Sequence, residues 1–355
     1  MQKETDLHIR RCIYCLEEKN FSATSPKQSD FNKEHVLHAA FANFRSAPML
    51  VGRVCSKCNQ LFGDTIDLEL GRGGFEALLR LIKEQKEPAG HKQLKHKNYE
   101  FIANPEDSRD SQAGLKVQLG VKDNKLGYVP ALQIGFLNTE TNSWEWFSAD
   151  EYLKLEEFSR PDLNFNNYHI YGPTEEEQQK LFDKVKEKNP DAKIENYIEG
   201  KQMPIDSTCI TNKAGMRAIA KIAFNYMAYV TESISPVIAF LPDFHHTREF
   251  IRYGTGQGPN FVLSRSMPLL QGETETKAFT DSHLVTLDFA RIYDRRRIVS
   301  DVALFNYIGW EVTLAKDYRG LEYPLSSIHM WDWRNRNFQK QVGLKADGTV
   351  SNWIS

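Results

Sequence analysis

The sequence predicts an α+β protein, with a small cysteine-tied motif at the N-terminus and a larger mixed domain behind it. Three observations predict this. Two Cys-x-x-Cys pairs, Cys12/Cys15 and Cys55/Cys58, bracket residues 16–54 and must bring the ends of that stretch together. Residues 211–233 form one long, mostly apolar helical pattern, which calls for a central buried helix. The tail (261–264, 283–292, 297–315 and 327–333) is rich in β-branched and aromatic residues and reads as strands of an antiparallel sheet.

At 355 residues the chain is long for one core, which points to two domains, 1–98 and 99–355. Its 41% hydrophobic and 26% charged residues are those of an ordinary globular protein. No apolar stretch approaches the length that spans a bilayer, and Met1–Arg11 lacks the apolar core of a secretory signal. A cytoplasmic location with no membrane partner is therefore expected, where thiols stay reduced and bind metal rather than pair as disulfides. The net charge of −2 makes no general case for nucleic acid, but its distribution is uneven. Residues 1–98 hold 16 Lys and Arg against 12 Asp and Glu, and the remainder holds 29 against 35. The basic surplus lies where a phosphate would have to be met.

Taken in order, residues 1–11 read as a polar lead-in and Cys12–Cys15 as a tight metal-binding turn. Residues 17–33 are polar, with Ser and Pro, and read as a loop before a short strand. Residues 50–54 suit a second strand. After Asn59 the spacing of Leu61, Phe62, Ile66, Leu68 and Leu70 turns helical, and Phe75, Leu78, Leu79 and Ile82 form a second amphipathic stretch. Pro88, Gly90 and the basic run 91–97 mark a linker. Leu115, Val117, Leu119 and Val121 alternate toward residues 122–125, a hairpin signal. Ser148 and Glu151 are spaced as a capping box, Thr174 precedes three glutamates that open another helix, and residues 205–210 suit a short strand. Asp243 is placed to cap a further helix that stops at Gly254. The glycines 254–258 follow a helical pattern rather than a strand and so make no dinucleotide site.

Four thiols in two close pairs suit a closed tetrahedral zinc site, a structural staple with no open position for chemistry. Cys209 stands alone and reads as a small half-buried residue. The loop between the pairs has to leave the zinc and return, so its middle is held near whatever follows the second pair. That brings the carboxylate of Glu34 and the imidazole of His35 toward the side-chain amide of Asn59, a place to put a catalytic metal.

Cys-Ile-Tyr-Cys at 12–15, Lys-Glu-His-Val at 33–36 and Cys-Ser-Lys-Cys-Asn at 55–59 resemble the HNH endonucleases, also called the ββα-metal or His-Me finger family. Within them the pattern is most similar to the four-cysteine zinc-knuckle branch that holds the endonuclease VII-type resolvases. The resemblance covers about 50 residues and implies a zinc-stapled ββα-metal motif ahead of an α+β accessory domain for recognition, regulation or assembly. It implies that Glu34 and Asn59 hold a catalytic Mg²⁺ or Mn²⁺ and that His35 is the general base activating water against a DNA phosphodiester. It places Asp67 as a supporting residue near the metal, with a first-turn helix carboxylate the alternative; His38 stands where many relatives have proline, within reach of the metal or phosphate, with a structural histidine the alternative. Asn59 also suits a helix cap. Arg53, Lys57 and Arg72 are candidate phosphate contacts, with solvated surface charge the alternative. DNA is the expected partner, and a homodimer is the assembly that two-strand cutting by a one-site enzyme calls for. The competing readings are a non-catalytic zinc-dependent nucleic-acid-binding protein and an effector whose C-terminal domain senses foreign DNA in defence. No chemistry is assigned to residues 99–355.

Overall fold

In the computed structural model the first cysteine pair sits at the tip of a hairpin. The structure describes residues 7–38, 40–41, 47–83, 90, 92, 94–95, 98–105, 110, 112–122, 125–156, 159–190, 204–255, 261–265, 282–292, 295–320, 327–332, 337–341 and 353–354. The linker signal at Pro88, parts of the basic run 91–97, the turn at 123–124 and glycines 256 and 258 lie outside them.

β1 (Leu7–Arg11) pairs antiparallel with β2 (Glu18–Ser22), and Cys12–Cys15 form the bend between them. This corrects the reading of 1–11 as a lead-in and of 17–33 as loop. β1 is exposed along its whole length, and its only apolar alternation, Leu7 and Ile9, is too short to mark a strand. The bend closes through Leu16 N donating to Cys12 O, with Leu16 in the left-handed region (φ 61°).

β3 (Phe31–His35) and β4 (Met49–Cys55) form a second hairpin, with Phe31 opposite Cys55, Glu34 opposite Leu50 and His35 opposite Met49. Helix α1 (Ser56–Phe62) follows directly and runs through a π-helical turn at Gly63–Asp67 into α2 (Leu68–Arg72). α3 (Phe75–Ile82) comes next. Strand, strand and helix thus succeed one another in the expected order.

The chain divides into two compact units, 1–80 with 211–355, and 81–210. The division falls at 80/81 and 210/211 rather than at 98/99. The reason is burial: the cysteine motif offers Ile13, Tyr14, Phe62 and Ile66, and these share one hydrophobic core with residues after 210. A hairpin pair and a few helical turns have too little apolar surface of their own to close a core.

The 81–210 unit holds β5 (Tyr99–Ala103), β6 (Lys116–Lys122), β7 (Lys125–Pro130), β8 (Gln133–Asn138), β9 (Ser143–Ser148), α4 (Ala149–Lys154), β10 (Leu163–Tyr171), α5 (Glu175–Lys188) and β11 (Ile205–Cys209). Its strands make two antiparallel sheets, ordered β11-β5-β6-β7 and β10-β8-β9. The capping box at α4 is present: Glu151 N donates to Ser148 Oγ at 3.3 Å, and Ser148 N to Glu151 Oε2 at 2.7 Å. Thr174 caps α5 as its position predicts. Ile134, Phe136, Tyr152, Tyr168, Leu181 and Val185 form the core of this unit.

The first unit resumes with α6 (Lys213–Glu232), α7 (His245–Tyr253) and strands β12 (Val262–Arg265), β13 (Ser282–Ile292), β14 (Arg295–Leu304), β15 (Ile308–Ala315), β16 (Ser327–Asp332), β17 (Asn337–Gln341) and β18 (Trp353–Ile354). These strands form one antiparallel sheet ordered β12-β15-β14-β13-β16-β17-β18. The stretch 297–315 is two strands, because Phe305 and Asn306 take left-handed conformations (φ 61° and 47°) and turn the chain back. α7 is not capped by Asp243, whose Oδ1 accepts from Arg319 N at 2.7 Å; the helix begins after a 3₁₀ turn at Pro242–Phe244. It stops at Gly254 (φ 73°), as predicted. α6 lies between the sheet and the cysteine motif, which is why it is buried on nearly every side. Among the described residues no helix is long and apolar enough to cross a membrane.

Candidate metal centre and the buried charge cluster beside it

Cys12, Cys15, Cys55 and Cys58 bring their Sγ atoms within 4.8 Å of one another. A zinc tetrahedron with arms of about 2.3 Å has sulfur–sulfur edges of about 3.8 Å. Cys15 Sγ and Cys55 Sγ are 3.8 Å apart. Soft thiolate donors at this separation fit zinc in both chemistry and size. Cys55 N donates to Cys12 Sγ at 3.4 Å, and Ile13 N to Arg53 O at 2.9 Å, so backbone from both pairs supports the cluster. Contact between the two thiols holds Cys12 above the ordinary thiol value and Cys55 below it.

Glu34 and His35 end β3, adjacent residues on opposite faces of the strand. Glu34 points inward and is 5% exposed; His35 is half-buried. Glu34 Oε1 accepts from Lys221 Nζ at 2.7 Å and from Asn225 Nδ2 at 3.2 Å. Asn225 Nδ2 also donates to His35 O at 3.2 Å, and Asn225 Oδ1 accepts from Tyr14 Oη at 2.6 Å. Every polar atom of that amide is therefore used, and its two hydrogens fix the backbone and side chain of the Glu34–His35 dipeptide. His35 Nδ1 is buried and makes no hydrogen bond among the described residues.

Lys221 Nζ contacts Asp67 Oδ2 at 2.7 Å as well, with the Phe62 ring 5.3 Å away. Lys221 is 3% and Asp67 7% exposed. Burial works against the ammonium, but the carboxylates of Asp67 and Glu34 together outweigh it and hold Lys221 above the ordinary lysine value. Tyr14 is pushed well up, first by burial and then by the same two carboxylates. Asp67 reaches this place because it closes the π-helical turn, which adds a residue to the helix and turns the carboxylate inward beside Ile66.

His38 Nε2 lies 3.9 Å from Asp67 Oδ2, and its Nδ1 accepts from Ala40 N at 3.2 Å. Burial lowers its pKa to about 4, against the pull of Asp67, so the ring is neutral and carries its proton on Nε2 toward the carboxylate. Asn59 is half-buried in the fourth position of α1; the cap is Cys55, so Asn59 does not cap this helix. Lys57 and Arg72 are exposed. Arg53 is buried, donates from Nη2 to Pro236 O at 2.6 Å and lies over the Phe240 ring, so its guanidinium is engaged inside the protein.

Lys221 and Asn225 escape a reading by apolar periodicity, because they interrupt it. Their signal is a lysine and an asparagine four residues apart within the apolar stretch of the helix, which puts both on one face. Among the described residues, the four cysteines alone gather three or more His, Cys, Asp or Glu ligand atoms within 4.8 Å. The oxygens of Glu34 and Asp67, with the amide of Asn59 on the neighbouring helix, have the donor chemistry of a hard divalent cation. The charge between the two carboxylates is supplied by Lys221. Comparison with models of known families, with curated proteins and with solved structures finds no match for this chain.

Proposed function

We propose that this chain is a metal-dependent endonuclease of the HNH type, cutting DNA phosphodiester bonds. The observation that carries the reading is the placement of Glu34 and His35 at the end of one strand of a hairpin that runs straight into a cysteine-bound helix bearing Asn59. Glu34 and Asn59 would hold Mg²⁺ or Mn²⁺, which when bound polarises a phosphate oxygen and stabilises the leaving 3′ oxygen. His35 takes a proton from water as general base, and its carbonyl is anchored by Asn225 so that the ring is carried on a fixed backbone. Tyr14, acting through Asn225, orients the carboxylate of Glu34.

One observation favours a second reading, a zinc-dependent nucleic-acid-binding protein without cleavage: Glu34 already has a buried ammonium partner. Supercoiled plasmid with Mg²⁺ or Mn²⁺ separates the two. Wild type is expected to nick or linearise it, and His35→Ala, with its zinc content verified, is expected not to. Binding without cleavage by both proteins would favour the second reading. Equal cleavage by both would remove His35 from the mechanism.

A further inference from the structure

The cluster around Lys221 is built as a cation site. Two carboxylates from different elements, Glu34 on β3 and Asp67 on the π-helical turn, converge within 2.7 Å of a single positive charge. The Phe62 ring lies beside that charge, and neutral His38 backs Asp67 at 3.9 Å. All the carboxylate and ammonium groups here are at least nine-tenths buried. Two buried carboxylates this close repel one another and need a cation between them. The chain supplies one from α6, more than 150 residues further along.

We infer that the Lys221 ammonium occupies the cation place of this site, so that a divalent ion gains Glu34 only in competition with it. This rests on Glu34 being a ligand of that ion. An ion at Glu34 would meet an ammonium already within 2.7 Å of the same carboxylate oxygen, and like charges at that range oppose each other strongly where water is excluded. Lys221 thereby sets the threshold concentration at which Mg²⁺ or Mn²⁺ enters. It belongs to the metal's regulation and to no bond-breaking step.

The test is Mn²⁺ binding to the full-length, zinc-loaded chain, read by electron paramagnetic resonance of free Mn²⁺ and by the unfolding temperature, with no nucleic acid present. Lys221→Met keeps the chain length and removes the charge. It is expected to bind one Mn²⁺ about tenfold or more tightly than wild type. Its unfolding temperature should rise with Mn²⁺ while that of wild type stays nearly fixed. The double variant Glu34→Gln/Lys221→Met should lose the gain. Affinity equal to or below wild type in Lys221→Met, or a gain that survives in the double variant, would overturn the inference. Should Lys221→Met fail to fold, Lys221→Gln keeps a hydrogen-bond donor and carries the same expectation. Because no DNA is involved, a protein that never cuts DNA can still show the gain, and one that cuts DNA can still lack it.

Discussion

Tyr14 Oη donates a 2.6 Å hydrogen bond to Asn225 Oδ1, joining the cysteine turn to the middle of α6 across 211 residues of sequence. Both side chains are fully buried, and the amide passes the connection on to Glu34 and His35. Tyr14→Phe removes the donor and leaves a buried amide oxygen with no partner. It should cost about 1–3 kcal/mol of unfolding free energy. Urea denaturation is expected to show a lower midpoint at an unchanged slope; a midpoint equal to wild type would mean that the bond contributes nothing.

The cysteine cluster should carry one zinc per chain. Elemental analysis should find it in wild type and in Cys209→Ser, and find it lost in Cys12→Ser or Cys58→Ser. With Cys12 held above the ordinary thiol value, zinc uptake near neutral pH has to displace protons. The binding enthalpy should therefore vary with the ionisation enthalpy of the buffer, and zinc affinity should fall as the pH is lowered. A buffer-independent enthalpy would count against thiolate ligation.

Glu76 is a buried carboxyl whose Oε1 accepts from Trp310 Nε1 at 2.7 Å. Burial raises its pKa, and the Trp310 bond opposes only part of the rise. A carboxyl raised on folding contributes stability that is complete below its unfolded value and is lost as the pH climbs through the folded one. Glu76→Gln keeps an oxygen for Trp310 and removes the titration. The variant should match wild type near pH 4 and exceed it increasingly toward pH 7 in thermal unfolding. A difference that stays flat with pH would show that folding does not raise the Glu76 carboxyl.

Two glycines of the N-terminal motif should respond oppositely to alanine. Gly52 has φ 67°, and a Cβ there would lie 2.7 Å from the Phe21 ring and from Arg10 Nη1. Gly52→Ala should destabilise by about 1–3 kcal/mol. Gly63 is helical, with nothing within 4 Å of its would-be Cβ, so Gly63→Ala should be neutral or stabilise by up to about 1 kcal/mol. Chemical denaturation of the pair checks the contrast, and a Gly52→Ala protein as stable as wild type would contradict the assigned backbone.

The sequence by itself determined the local features. Cysteine spacing marked the four-cysteine cluster, capping residues marked the starts of α4 and α5, apolar periodicity marked α6, and β-branched and aromatic composition marked the tail strands. Each rests on interactions within a few residues or on repeat spacing, which a linear reading can see. The hairpin β1–β2 was not legible, because its first strand is exposed and its pairing depends on the cysteine bend. Arg53 reads as a candidate phosphate contact because its acceptor, Pro236 O, lies 183 residues away. The partners of Glu34 and Asp67 were hidden for the same reason. Lys221 and Asn225 are one lysine and one asparagine in a long helix until tertiary packing sets that helix against β3 and the π-helical turn. Only the folded chain decides which charge faces which, because burial makes an ion pair between distant residues necessary while leaving no periodic trace of it in the sequence.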